Sequence, residues 1–267
     1  MSNTTKYVLI TGASSGIGYE LAKLFAHDQY NLIIVGRNQQ ELESKAAEFK
    51  QSGIDVISIV KDLFNRDEVF ALCDEVKRTG IQVDVLVNDA GQGQYGLFKD
   101  NDIERELKII DLNIGALTIL TKHFLQEMVN RNEGKILNLA SIASTTPGPW
   151  QAVYHATKAY VLSLTEAIRE EIKDTEVTIT ALMPGATNTD FFNKADMQNS
   201  KAVQDKSALS NPADVARDGY NALMAGTDKV VSGFKNKVQV AMGNVTPDTT
   251  LAHITAEQQK PVEQEQN

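Results

Sequence analysis

Tyr154 and Lys158 stand four residues apart in the stretch Tyr154-His155-Ala156-Thr157-Lys158, with Ser141 upstream. Apolar residues at Val153, Val161, Leu162, Leu164, Ile168 and Ile172 predict a helix from Trp150 to Lys173. On a helix, residues four apart share a face, so a phenol and an ammonium become neighbours. A nearby cation favours the phenolate and draws the tyrosine down from a reference pKa of about 10. A fall of about three units needs roughly 4 kcal/mol of differential stabilisation, which a lysine and a cationic ligand could share. Taken alone, the same spacing also fits a solvated helix face. The residues that would accompany the pair decide between the two, and they depend on the elements that deliver them.

Those elements alternate. Tyr7 to Ile10 is a short apolar run, followed by Thr11-Gly12-Ala13-Ser14-Ser15-Gly16-Ile17-Gly18 and then by helical spacing at Ile17, Leu21, Leu24 and Phe25. Glycines in such a turn let the backbone bend tightly and let a ligand approach. The helix start behind it offers free N–H groups and a positive dipole end to a phosphate. The spacing departs from the common G-x-G-x-x-G pattern. A second strand, Asn31 to Val35, ends in Gly36-Arg37-Asn38 without an acid. A carboxylate at that place would bind a ribose 2′-OH, whereas an arginine accommodates a 2′-phosphate, so Arg37 favours NADP(H) over NAD(H).

Further strands are expected at Ile54 to Val60, ending in Asp62-Leu63; at Val83 to Val87, ending in Asn88-Asp89-Ala90-Gly91; at Lys135 to Ala140, delivering Ser141; at Val177 to Leu182, followed by Met183-Pro184-Gly185; and at Lys229 to Ser232. Helices are expected at Gln39 to Gln51, at Arg66 to Arg78, over a long region from about Asp102 to Asn130 with Asn113 in its middle, and after Asn211-Pro212. This alternation predicts an α/β fold: a doubly wound, Rossmann-type parallel sheet with helices on both faces. Ligands of such sheets bind beyond the carboxyl ends of the strands, and every unusual polar cluster falls at such an end.

Composition bounds the rest. A chain of 267 residues, 42% hydrophobic, suits one domain, expected over residues 1–243. A polar loop at about 188–210 reads as a substrate lid, and the Gln/Glu-rich stretch 244–267 reads as a frayed tail. A formal charge of −9 argues against nucleic acid and anionic membranes as partners. The polar start Met1 to Lys6 and the lack of a long apolar run point to a cytoplasmic protein. Cys73 is the sole cysteine and the four histidines lack ligand spacing, so neither a disulfide nor a metal site is expected.

Taken in order, Thr11-Gly12-x-x-x-Gly16-x-Gly18, Asp62, Asn88-x-Ala90-Gly91, Asn113, Ser141, Tyr154-x-x-x-Lys158 and Pro184-Gly185 resemble the short-chain dehydrogenase/reductase superfamily. The resemblance covers roughly the first 190 residues and implies a sheet of about seven strands and a nicotinamide cofactor. It implies that Tyr154 exchanges the proton at the substrate oxygen and that Lys158 holds the nicotinamide ribose and depresses the tyrosine pKa. Ser141 would hydrogen-bond the carbonyl, and Asn113 would anchor a relay water. It assigns Gly12, Ser14, Ser15, Ile17, Arg37, Asn38, Asp62, Leu63, Asn88, Ala90, Gly91, Tyr154, Lys158, Pro184, Gly185, Thr187 and Thr189 to the cofactor. The family usually has a second asparagine where this chain has Asp89, and a small residue where it has His155; a structural or interface role is expected for His155.

The expected activity is that of an NADP(H)-dependent oxidoreductase acting on the carbonyl or secondary alcohol of a small neutral or amphipathic molecule. Its pocket is expected from Gln92 to Phe98, Ile142 to Trp150 and Asn188 to Met197, with Tyr95, Trp150, Phe191 and Phe192 among its walls and Lys194 as its only basic residue. The alternatives are a 3-oxoacyl thioester reductase, which needs a basic patch that the sequence does not reveal, and a protein that senses NADP(H) without turnover. The resemblance also implies a homodimer or homotetramer through the long Asp102 region and the Tyr154 helix.

Overall fold

The computed structural model describes residues 6–262. Seven parallel strands form one sheet in the order β3-β2-β1-β4-β5-β6-β7, with β1 Tyr7–Thr11, β2 Asn31–Gly36, β3 Val56–Val60, β4 Val83–Asn88, β5 Lys135–Leu139, β6 Thr178–Met183 and β7 Lys229–Val231. The order reverses between β1 and β4. That switch point opens a crevice at the carboxyl ends of the strands.

Strand alternation assigns the two faces. Val8 and Ile10 of β1 pack with Leu21 and Phe25 of α1 (Gly16–His27), Leu42 and Phe49 of α2 (Gln39–Lys50), and Val215 and Leu223 of α8 (Pro212–Met224). Leu9, pointing the other way, packs with Leu72 of α3 (Arg66–Arg78) and Phe124 of α5 (Leu117–Arg131). Period-two alternation buried on both sides is what a parallel sheet requires of its strands. Cys73 is a buried free thiol in the second of these cores, pushed up to about 11 by burial.

The long helix expected around Asn113 is three pieces. α4 (Ile103–Ile110) passes into a π-helical turn, Asp111–Ala116, and then into α5. A π turn widens the helix by one residue and often marks a functional site; here it carries Asn113. The helix with Tyr154 and Lys158 is α6 (Ala152–Glu171), which packs Val161 against Ala140, Ala181 and Met183.

After β6 the chain makes a short helix α7 (Phe191–Lys194), two single 3₁₀ turns at Lys201–Val203 and Lys206–Ala208, and later α9 (Phe234–Gly243) and α10 (Asp248–Gln259). The expectation of a frayed tail from Asn244 is corrected by α10. Its composition is polar because hydrogen bonds rather than apolar burial hold it: only Thr255 and Gln259 of its twelve residues are buried. Residues 1–5 and 263–267, also read as polar ends, lie outside the described residues. Among the described residues, no helix is long and apolar enough to cross a membrane, and no cluster of three acidic, histidine or cysteine side chains could hold a metal.

Candidate active site

β5 ends at Leu139 and Ser141 caps the 3₁₀ turn Ile142–Thr145 that follows, its Oγ accepting the Ala143 N–H at 3.1 Å. Ser144 completes the box. Its Oγ accepts the Ser141 N–H (3.2 Å) and donates to the Lys158 carbonyl (2.8 Å), so the end of β5 is riveted to α6. Ser144 carries no catalytic chemistry, which is why residue types alone did not single it out. Ser141 Oγ also donates to the Pro184 carbonyl at 3.3 Å.

This rivet brings Ser141 beside the Tyr154 hydroxyl. Burial pushes the Tyr154 phenol up to about 12, against the smaller pull of the Ser141 hydroxyl toward the phenolate. The expected depression by Lys158 is therefore corrected. Lys158 Nζ lies 5.8 Å from the Tyr154 ring centroid and donates to the Leu139 carbonyl at 2.7 Å. Burial lowers the lysine to about 8, with Asp89 opposing the fall.

Asp89 occupies the position where an asparagine was expected. Its carboxyl is buried beneath the glycine-rich turn, close against Gly18, and desolvation raises it to about 7 against the pull of Lys158. A Cβ on Gly12 would lie 2.8 Å from Asp89 Oδ2, and one on Gly18 only 2.5 Å. The turn thus needs those glycines to close over the acid, and Gly12 also needs its positive φ of 73°.

Asn113 is fully buried. Its Oδ1 accepts the Gln92 N–H (3.0 Å) while Nδ2 donates to the Gln92 carbonyl (2.8 Å) and to Thr157 Oγ1 (3.0 Å). Its side chain fixes the backbone after Gly91 and ties it to α6. Asn113 is not on the cavity wall.

A cavity of about 860 Å³ runs from the glycine-rich turn past Tyr154 to the segments after β6. Of the residues expected around a dinucleotide, Gly12, Ser14, Ser15, Ile17, Arg37, Leu63, Ala90, Gly91, Tyr154, Lys158, Pro184, Gly185, Thr187 and Thr189 line it. Asn38, Asp62 and Asn88 do not. Asn38 caps α2 by accepting the Glu41 N–H, and Asp62 accepts the Phe64 N–H and faces Arg37 at 3.9 Å. Asn88 donates to Thr121 Oγ1 and Asn138 Oδ1, holding β4 to β5 and α5. Lys61, Phe64 and Asp89 line the cavity as well, and Arg37 lies over the Phe64 ring at 4.6 Å. The aromatic neighbour of Arg37 was in the sequence, but nothing in its spacing marked it.

The start of α1, Ser15 to Ile17, lines the cavity. It has no side-chain cap and no acid in its first turn, as is also true of α6 and α9. Together with the glycine-rich turn, the N–H groups and dipole end there suit an anion.

The substrate end departs from expectation in detail. Phe191, Phe192 and Met197 line it, as do Gln92, Ile142 and Thr146. Tyr95 and Trp150 do not; they stack on each other at 5.6 Å. Trp150 is held at φ 71°, an uncommon backbone for a bulky residue. Lys194 is joined on the wall by Lys201 and Lys235. His155, buried as expected for a structural residue, places Nδ1 2.8 Å from the Thr146 carbonyl, and burial lowers its pKa.

Known proteins resemble this arrangement along most of the chain. Ketoacyl reductase HetN of Nostoc sp. is 29% identical over 252 residues, 91% of this chain and 86% of that protein. The 3-oxoacyl-[acyl-carrier-protein] reductase FabG of Staphylococcus aureus is 30% identical over 234 residues, covering 87% of this chain and 93% of that one. Among solved structures, a short-chain dehydrogenase from Sphingobium yanoikuyae in complex with NADPH superposes with a TM-score of 0.80 at 25% identity, covering 98% of each chain. Residues 6–200 match the short chain dehydrogenase family. That span is well over half of the chain and contains both the glycine-rich turn and the Tyr154–Lys158 pair, so the protein belongs to the short-chain dehydrogenase family of oxidoreductases.

Proposed function

We propose that the protein is an NADP(H)-dependent reductase of a carbonyl group on a small neutral or amphipathic substrate, with Tyr154 as the proton donor. The observation that carries this reading is the Tyr154 hydroxyl itself: beside Ser141, on the wall of the cavity that leads to the uncapped start of α1. A bound nicotinamide supplies or takes up the hydride. The chain's own part is to position the carbonyl and to deliver a proton as negative charge grows on its oxygen. The Tyr154 phenol, pushed up by burial, carries its proton at neutral pH, as a donor must. The Ser141 hydroxyl is a second donor for the same oxygen. Asn113 supports the site by holding Gln92 and Thr157, and it is where a relay water would be anchored.

NADP(H) is favoured over NAD(H) by Arg37, which ends β2 with no acid at the tip, stacks on Phe64 and shares its cavity end with Lys61. Asp62 at 3.9 Å takes part of the Arg37 charge. The residues assigned to the cofactor are, on this reading, those of the cavity wall from Gly12 to Thr189. Asn38, Asp62 and Asn88 would support that wall from behind.

A 3-oxoacyl thioester reductase is the second reading, favoured by Lys194, Lys201 and Lys235 at the substrate end and by the similarity to FabG. Lys194 pairs with Asp190 at 3.2 Å, and Glu257 and Asp205 lie within electrostatic reach of Lys201 and Lys235. Such a patch attracts an anionic carrier weakly, so the neutral substrate remains the first reading. We also propose a homo-oligomer through the α4 and α6 faces, where Ile103, Leu107 and Tyr160 are exposed; sedimentation at micromolar concentration checks it.

Titration with NADPH and NADH, followed by NADPH consumption with ketones, aldehydes and 3-oxoacyl thioesters, tests the reading. Tighter binding of NADPH with turnover of a neutral ketone is expected. Turnover of thioesters alone selects the second reading, and tight binding without turnover of any compound selects a cofactor sensor.

A further inference from the structure

One wall of the substrate end comes from the far end of the chain. Thr255, Glu257, Gln258 and Gln259 of α10 line the cavity. Since only Thr255 and Gln259 of α10 are buried, apolar packing contributes little to holding the helix there. Hydrogen bonds at one residue do most of it. The Gln259 carbonyl accepts from Tyr95 Oη at 2.6 Å and from Ser200 Oγ at 3.0 Å. Its Nε2 lies 3.2 Å from Nε2 of His155, the residue beside Tyr154. Because His155 Nδ1 faces a carbonyl, which only accepts, Nδ1 carries the hydrogen and Nε2 receives the Gln259 amide. Gln259 thus joins the C-terminal helix to the loop after β4, to the 188–210 loop and to α6. Just beyond it, Ser200 and Pro261 bridge antiparallel, Lys201 N–H donates to the Lys260 carbonyl, and Val262 N–H donates to the Asn199 carbonyl.

The wall is therefore fastened by a few hydrogen bonds rather than by apolar packing.

Resting on the reading of the site as a carbonyl reductase, we propose that the joint of Tyr95, Ser200 and His155 with Gln259 determines specificity, fastening α10 as a wall that limits the bulk of the substrate beside its carbonyl. The substrates of the intact protein are then compact on that side, and loss of the fastening admits larger ones.

Two variants, compared with the wild type on a series of ketones from methyl ketones to diaryl ketones, test the wall. Tyr95→Phe/Ser200→Ala removes both donors to the Gln259 main-chain carbonyl, and Gln259→Ala keeps that carbonyl and removes only the amide facing His155. For Tyr95→Phe/Ser200→Ala the ratio of kcat/KM for bulky over compact ketones rises about tenfold, with a smaller rise for Gln259→Ala. A ratio unchanged in both variants overturns the proposal. Hydrogen exchange at the Lys201 and Val262 amides is measured alongside. Faster exchange in Tyr95→Phe/Ser200→Ala supports the fastening, and exchange equal to that of the wild type overturns it even if no ketone is reduced. Absence of turnover in the wild type counts against the carbonyl-reductase reading alone, because the exchange measurement tests the fastening without it.

Discussion

The two ends of the cavity are built on different principles. At the cofactor end, each wall residue sits on a short turn that leaves a strand, and sheet register fixes its place: Gly12 follows β1, Arg37 follows β2, and Ala90 follows β4. At the substrate end, the walls come from α7, the 3₁₀ turns and α10, held by isolated contacts such as the Arg105–Asp196 ion pair, Tyr95 N–H to the Ala195 carbonyl, and the bonds at Gln259. A fold of this kind keeps one ligand constant and varies the other, because changing a surface segment leaves the sheet intact. The contrast makes the cofactor end sensitive to single atoms and the substrate end tolerant of them.

Tyr154→Phe lies where the two ends meet and has the largest expected effect. Removing the proton donor lowers kcat by about 10³-fold, within the range for general acid catalysis, while NADPH affinity stays within a few-fold. Single-turnover kinetics and a cofactor titration measure the two separately. A variant with the wild-type rate would move proton donation to another group.

Arg37→Asp acts at the cofactor end alone. A charge-assisted contact to a phosphate contributes about 1.5–3 kcal/mol, so NADPH affinity falls about 10- to 100-fold and NADH affinity changes much less. Equal losses for both cofactors would remove Arg37 from the 2′-phosphate.

Glycines sharpen the comparison between the ends. At Gly18, a Cβ would meet the Gly12 carbonyl oxygen at 2.6 Å and Asp89 Oδ2 at 2.5 Å, whereas at Gly243, where α9 ends, it meets nothing within 4 Å. Gly18→Ala therefore costs about 1–3 kcal/mol of stability, as overpacking does, and weakens NADPH binding. Gly243→Ala leaves binding alone and gains up to about 1 kcal/mol from helix propensity. Urea unfolding of both variants decides it; similar losses at the two positions would erase the distinction.

What the residues revealed divides along the same line. Strand-to-turn transitions are local, so the apolar runs and the glycine-rich turn placed the seven-stranded sheet, Tyr154 and Lys158 could be paired from their spacing, and Ser141 joined them through the resemblance. The π turn at Asn113 was hidden because apolar periodicity runs through it. Lys201, Lys235 and Gln259 were hidden for another reason: long-range backbone bonds bring them to the cavity, and a polar stretch carries no pattern that points to its partner. The pKa of Tyr154 was misjudged because spacing brings a lysine near without telling where its ammonium points, and here it points to the Leu139 carbonyl.

Asp89→Asn tests the electrostatics under the cofactor end and has the smallest expected effect. The folded Asp89 carboxyl holds its proton to about 7, while an unfolded aspartate releases it at about 4. The folded chain therefore binds a proton that the unfolded chain has lost, and stability falls as pH rises through that window. Lys158, lowered to about 8, carries the opposite dependence at higher pH: its cost is full below the folded value and is relieved as pH rises toward the unfolded one. The asparagine removes the first dependence. It also takes away the charge that opposes the lowering of Lys158, so the relief of the second begins at lower pH. Both changes favour the variant as pH increases. The stability of Asp89→Asn relative to wild type thus improves by on the order of 1 kcal/mol or more between pH 4.5 and pH 8, measured by urea unfolding at the two values. A difference independent of pH would mean that the Asp89 carboxyl is already ionised at the lower pH and bonded well enough beneath the turn to stay so.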